Sequence, residues 1–96
     1  MRIRYTRRAL LDVNAIAVYI APHNRRAALS VELAIVGTVN RLVDFPMLGT
    51  EEKELDVRRL LVPKYPYAIY YRIEGEEIWI VHVRYGRRKP PEVGDV

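Results

Sequence analysis

Ninety-six residues suffice for one domain and not for two, because a chain this short buries only roughly 60 to 65% of its unfolded surface. Half of the residues are hydrophobic and 29% are charged, which is the composition of a packed fold rather than a disordered one; with no cysteine present, disulfide frameworks and thiolate zinc sites are excluded. The net charge of +4 sits entirely in residues 1 to 44, where seven arginines face three acids, while residues 45 to 96 carry nine cations and nine anions.

The first predicted element is a short strand over Arg2-Ile3-Arg4-Tyr5, where polar and apolar residues alternate. Thr6 is placed to cap a helix running to about Ala21, with Leu10, Val13, Ala17 and Ile20 on one face. Pro22-His23-Asn24 breaks that pattern, and Asn24 caps a second helix from Arg25 to about Val43. So short a connection predicts an antiparallel helical hairpin. The second helix carries two apolar stripes: Ala28, Val31, Ile35, Val39 and Leu42, and beside them Leu29, Leu33, Val36 and Val43. One small sheet covers only the first, so the second is buried either by helix 1 or by a partner chain.

Pro46 and Gly49 mark a connection that leads through the acidic stretch Glu51 to Asp56 into three strands at about 57 to 62, 67 to 73 and 77 to 84. Gly75 supplies the turn between the last two. In one of these strands Tyr67, Ile69, Tyr71 and Ile73 alternate with Ala68, Tyr70 and Arg72, and in the last Trp79, Val81, Val83 and Tyr85 alternate with Ile78, Ile80, His82 and Arg84. The wholly apolar or aromatic set of each strand is expected to carry the hairpin and the mixed set to stay partly open. This predicts a βααβββ, α+β fold: two helices on one face of a small twisted antiparallel sheet. Residues 1–96 form a single domain in this reading, with 90–96 a mobile tail.

Chemistry is constrained more by what is missing. His23 and His82 have no companion at ligand spacing, so neither a metal nor another cofactor is expected. No serine or threonine has a base at recognisable spacing, and the glycines are too scattered to cradle a phosphate. Metal-independent RNA cleavage is the one chemistry the composition supports, with Arg59, Arg72, Arg84, Arg87, Arg88, Tyr85 and His82 as parts. Solvated strand arginines and a packed Tyr85 account for the same residues without any activity. The cluster Arg84, Arg87, Arg88 and Lys89 attracts nucleic acid or an acidic protein equally well. No apolar run approaches the roughly 20 residues that span a bilayer. Because Met1 to Tyr5 also lack a signal-peptide centre, a cytoplasmic protein with no membrane partner is expected.

The chain resembles the RelE/ParE superfamily of small toxins from bacterial type II toxin–antitoxin modules. Its carriers are Asp12 with Ile16 and Tyr19-Ile20-Ala21, Asn24 with Ala27-Ala28, Leu42-Val43-Asp44-Phe45-Pro46-Met47-Leu48-Gly49, Val57-Arg58-Arg59-Leu60, Tyr65 to Arg72, and Val83 to Pro90. The resemblance implies the fold just described and a cognate antitoxin that wraps the toxin and binds operator DNA itself. It also implies one of two activities. RelE-like members cleave messenger RNA on the ribosome, whereas ParE-like members poison DNA gyrase without cutting. The position of a phosphate-stabilising arginine in the nucleases falls at Ala68 and that of a late tyrosine at Gly94, while one arginine survives as Arg88. These departures favour the ParE-like activity. If the chain is a nuclease, Arg59, Tyr85 and Arg88 are the catalytic candidates. Leu33, Val36, Arg58, Arg59 and Arg84 are the candidate antitoxin contacts, and Arg84, Arg87, Arg88 and Lys89 the candidate contacts to gyrase, or to ribosome and mRNA. A module that only tunes operator repression is the third reading.

Overall fold

The computed structural model describes residues 1–86, and Arg87, Arg88, Lys89, Gly94 and the predicted 90–96 tail lie outside the described residues. The elements are β1 (Arg2–Tyr5), α1 (Arg7–Ile20), α2 (Arg25–Asn40) with a 3-10 turn at Arg41–Val43, β2 (Thr50–Glu52), β3 (Val57–Leu61), β4 (Tyr67–Glu74) and β5 (Glu77–Tyr85). The sheet order is β1-β5-β4-β3-β2.

Both helices begin at the capping residues the sequence offers. The Thr6 hydroxyl accepts from the Ala9 N–H at 3.1 Å and the Asn24 side chain from the Ala27 N–H at 3.0 Å. Thr6 also donates its N–H to the Ile80 carbonyl at 3.0 Å, so α1 starts while the chain is still bonded to the sheet. At that close approach the small Ala9 is the fully buried residue of α1, and Leu10, expected inward, is 56% exposed. Val13, Ile16 and Ile20 continue the inward face.

On α2 the first stripe packs as expected: Val31, Ile35 and Val39, with Leu42 beyond the helix, are buried. Each contributes about 1.5 to 3 kcal/mol. The second stripe does not reach α1, since Leu29 and Leu33 remain more than half exposed and Val36 and Val43 more than a third.

Strands β2 to β5 are antiparallel. The sheet as a whole is mixed, because β1 pairs parallel with β5, Ile3 opposite Ile78 and Tyr5 opposite Ile80. This corrects the purely antiparallel expectation, and the reason is topological: the hairpin carries the chain across one face before β2, and β5 returns between β1 and β4. With a strand on either side, β5 is the most buried of the five. The short β2 was read from sequence as a charged connection; it pairs Glu51 with Arg58 at the far edge.

A bulge in β5 shifts its alternation. Tyr70 pairs with His82 but Tyr71 with Ile80, leaving Val81 as the extra residue. Ile78 and Ile80, on one side of the bulge, and Val83, on the other, therefore all join the helix-side core, with Ile69 and Tyr71 of β4. Trp79 and Val81, expected under the hairpin, instead join Val57, Ala68 and Tyr70 in a second small cluster on the uncovered face.

Candidate functional site

At the α1 side of β5, β1 pairs only from Glu77 to Ile80, and the strand beyond needs another source of hydrogen bonds. Asp12 supplies it. Its Oδ2 accepts from the Val83 N–H at 3.0 Å and lies 2.7 Å from His82 Nδ1, while Oδ1 meets Arg8 Nε at 3.1 Å. Arg84 Nε lies 3.5 Å from the same ring nitrogen, and the donor and acceptor roles at Nδ1 follow from the ring tautomer. His82 is 1% exposed and is a structural anchor between α1 and β5. The sequence around His82 does not mark this partner, which lies 70 positions away. The available signal was Asp12 itself, an acid between the inward residues Ala9, Val13 and Ile16.

Beside this anchor opens a cleft of about 860 Å³ between α1 and the end of the sheet, lined by Arg8, Ile16, Tyr19, Tyr67, Arg84 and Tyr85 among others. The Tyr67 and Tyr85 rings meet edge to face, with centroids 6.0 Å apart. Burial raises the Tyr67 phenol above its ordinary value, with Tyr85 and Tyr19 adding to the rise.

The uncovered face of the sheet carries arginines around an apolar centre. Ala68, 1% exposed, lies between Leu61 and Arg84, and Tyr70 between Arg59 and His82. Arg59 Nε donates to the Tyr70 hydroxyl and Nη2 to the Gly86 carbonyl, both at 3.3 Å. Toward β1, Arg4 pairs with Glu77 at 2.8 Å; that hydrogen bond holds the Glu77 carboxyl below its ordinary value. Arg72 lies 3.8 Å from Glu74, and its buried Nε makes no hydrogen bond among the described residues.

The residues singled out from sequence thus fall in separate places. Arg59 and Arg84 flank β4 at register positions of the uncovered face, but the Arg84 side chain also lines the α1 cleft, with its Nε 3.5 Å from His82 Nδ1. Arg58 pairs with Tyr71 on the opposite face, where it donates to the Gly49 carbonyl at 2.7 Å and lies 3.7 Å from Glu51. Leu33 and Val36 stand on the outer surface of α2. Of the nuclease candidates, Tyr85 pairs with Tyr67 on the helix side, the face opposite to that of Arg59, and Arg88 is not described. Among the described residues, no group of three or more His, Asp or Glu side chains is placed to hold a metal ion, and no helix is long and apolar enough to cross a membrane.

Comparison with known proteins agrees with this architecture. The family described as the ParE toxin of the type II toxin–antitoxin system parDE matches residues 3–90. A Sinorhizobium fredii (strain NBRC 101917 / NGR234) protein described as a candidate toxin, Y4kP, is 33% identical over 92 residues, covering 96% of this chain and 95% of its own. A solved chain of the chromosomal ParDE TA system from P. aeruginosa superposes with a TM-score of 0.79 at 27% identity, over 88% of this chain and 95% of that one. With the two helices on a five-stranded sheet and a family match that runs from Ile3 to Pro90, the chain belongs to the ParE toxin family of type II toxin–antitoxin systems.

Proposed function

We propose that this toxin is held inactive by a cognate antitoxin and, once released, inhibits DNA gyrase without cutting nucleic acid. The observation that carries this reading is the centre of the uncovered face: Ala68, Tyr70, Val57 and Val81 make it apolar, and the Arg59 guanidinium beside it is bonded to Tyr70 and Gly86. A nuclease needs cations aimed at the developing phosphate charge, and losing one such group costs about 3 to 4 kcal/mol of transition-state stabilisation. The basic segment Arg84, Arg87, Arg88 and Lys89 is then the contact to the target.

The antitoxin contact is the outward stripe of α2. Leu29, Leu33 and Val36 form an exposed apolar ridge that suits the apolar face of an amphipathic helix, and Arg84 is an anchor for an acidic side chain of the same partner. The P. aeruginosa neighbour, titled as part of a toxin–antitoxin system, supports a partner of this kind, and operator DNA is reached through the antitoxin. Purified toxin added to gyrase and plasmid inhibits supercoiling or traps cleaved DNA. Unaltered supercoiling at stoichiometric toxin, together with A-site cleavage of mRNA on programmed ribosomes, overturns the gyrase reading in favour of the nuclease. Expression without antitoxin that leaves growth unchanged favours the purely regulatory module.

A further inference from the structure

Opposite charges occupy different parts of this chain. Residues 1 to 43 hold seven arginines against Asp12 and Glu32, whereas residues 44 to 56 hold Asp44, Glu51, Glu52, Glu54 and Asp56 against Lys53. Each part also exposes apolar side chains. Phe45 and Met47 are 60% and 66% exposed on the turn between α2 and β2, and Met47 lines the same surface hollow as Glu51, Glu52 and Asp56. Phenylalanine and methionine are side chains enriched where protein surfaces meet. The turn is held from beneath by the Tyr71 hydroxyl at Pro46 and Gly49 and by Arg58 at the Gly49 carbonyl, so little order remains to be lost there on binding.

On α2, Leu29 and Leu33 stand one helical turn apart, both more than half exposed, and Arg25 and Arg26 lie one turn before Leu29. These arginines open the helix, where the backbone dipole disfavours a cation, and the first turn carries no acidic side chain to offset them. Neither has an ion-pair partner among the described residues. The turn of the same chain follows the opposite end of α2, and the exposure of Phe45 and of Leu33 together shows that it does not fold back over this ridge.

We propose that the free chain associates head to tail: the Phe45 and Met47 turn of one copy lies on the Leu29 and Leu33 ridge of a second, with the carboxylates of the first beside Arg25 and Arg26 of the second. Apolar meets apolar, and each side supplies the charge that the other needs. The contact is heterologous, so a pair leaves one turn and one ridge unfilled and further copies add to it. A contact made by one turn and one stretch of helix is small, which makes the association weak and concentration-dependent. The ridge is also the surface assigned above to the antitoxin. Where that assignment holds, antitoxin and second copy exclude each other, but self-association does not rest on it.

Sedimentation equilibrium of the purified full chain, from micromolar to millimolar concentration, is the test. The average mass of the parent is expected to climb past that of two chains, and the association to be roughly tenfold weaker in about 0.5 M than in about 0.05 M salt, because screening shortens the reach of the opposed charges. Two variants separate the two sides: Leu33→Glu spoils the ridge and keeps the turn, and Phe45→Ser with Met47→Ser spoils the turn and keeps the ridge. All three positions are exposed, and an unfolding midpoint close to that of the parent confirms that each variant is folded. Each variant alone is expected to stay monomeric. Mixed in equal amounts, they are expected to form a pair that grows no further, since the intact turn of one fits the intact ridge of the other. A parent that stays monomeric, an association that salt leaves unchanged or strengthens, a variant that associates alone as the parent does, or a mixture that stays monomeric each overturns the inference.

Discussion

Removing a single oxygen from the core tests whether the loop between α2 and β2 is held as described. The Tyr71 ring is fully buried, and its hydroxyl donates to the Pro46 carbonyl at 2.7 Å and accepts from the Gly49 N–H at 2.8 Å. Tyr71→Phe keeps the ring packing and deletes both bonds. Each net hydrogen bond is worth about 1 kcal/mol, and a buried N–H left without an acceptor adds desolvation of about 1 to 3 kcal/mol. Gly49 is buried whereas Pro46 is only partly so, so water restores the carbonyl more readily than the N–H. The expected total is about 2 to 3 kcal/mol, or roughly 10 to 20 °C in thermal midpoint for a domain of this length. Tyr70→Phe is the comparator: its hydroxyl takes one bond, from Arg59 at 3.3 Å, and its loss costs about 1 kcal/mol or less. Urea unfolding of the three proteins with a shared slope measures both values. A Tyr71→Phe protein within about 0.5 kcal/mol of the parent refutes the clamp.

Gly49→Ala attacks the same contact from the other side, because its Cβ would lie 2.8 Å from Tyr71 Cε1 and 3.0 Å from the Arg59 carbonyl oxygen; a loss of about 1 to 3 kcal/mol in urea unfolding is expected. Asp12→Ala leaves the Val83 N–H and buried His82 without their partner and costs about 2 to 4 kcal/mol, whereas a neutral result in the same assay removes its anchoring role. Leu33→Glu, at a position 62% exposed, leaves the unfolding midpoint within about 0.5 kcal/mol but weakens antitoxin binding measured by calorimetry; unchanged affinity places the contact elsewhere. Burial raises the phenols of Tyr5, Tyr67 and Tyr71 above their ordinary value. The folded chain therefore holds these protons more tightly than the unfolded one. Their stabilisation is complete below about pH 10 and declines as pH rises through the folded values. A urea midpoint that holds or increases between about pH 9 and pH 11 contradicts this.

Local chemistry made much of this fold readable. Thr6 and Asn24 announce their helices because each carries an oxygen within reach of an orphan N–H, and Gly75 marks the β4–β5 turn because its φ of +59° disfavours other residues. The excess of apolar surface on α2 was also legible, since Leu29 and Leu33 lie off the stripe that Val31, Ile35 and Val39 bury. What stayed hidden depends on partners distant in sequence. The place of β5 between β1 and β4 follows from how the hairpin crosses the sheet, and β2 is a strand of charged residues held by its pairing to Val57–Arg59 rather than by its own preference.

The bulge at Val81 has the widest consequence. Strict alternation puts Tyr85 on the side of Trp79 and Val81, over the uncovered face with Arg59. One extra residue reverses the second half of the strand, so Tyr85 instead meets Tyr67 at the mouth of the α1 cleft. The same step brings the Val83 N–H and His82 to Asp12, at the end of β5 that β1 does not reach. Alternation in the sequence carries no mark of this shift, because Ile78, Ile80, Val81 and Val83 are apolar on either side of it. The placement of Tyr85 and Arg59 on opposite faces thus arises from the same inserted residue that lets α1 complete the edge of the sheet.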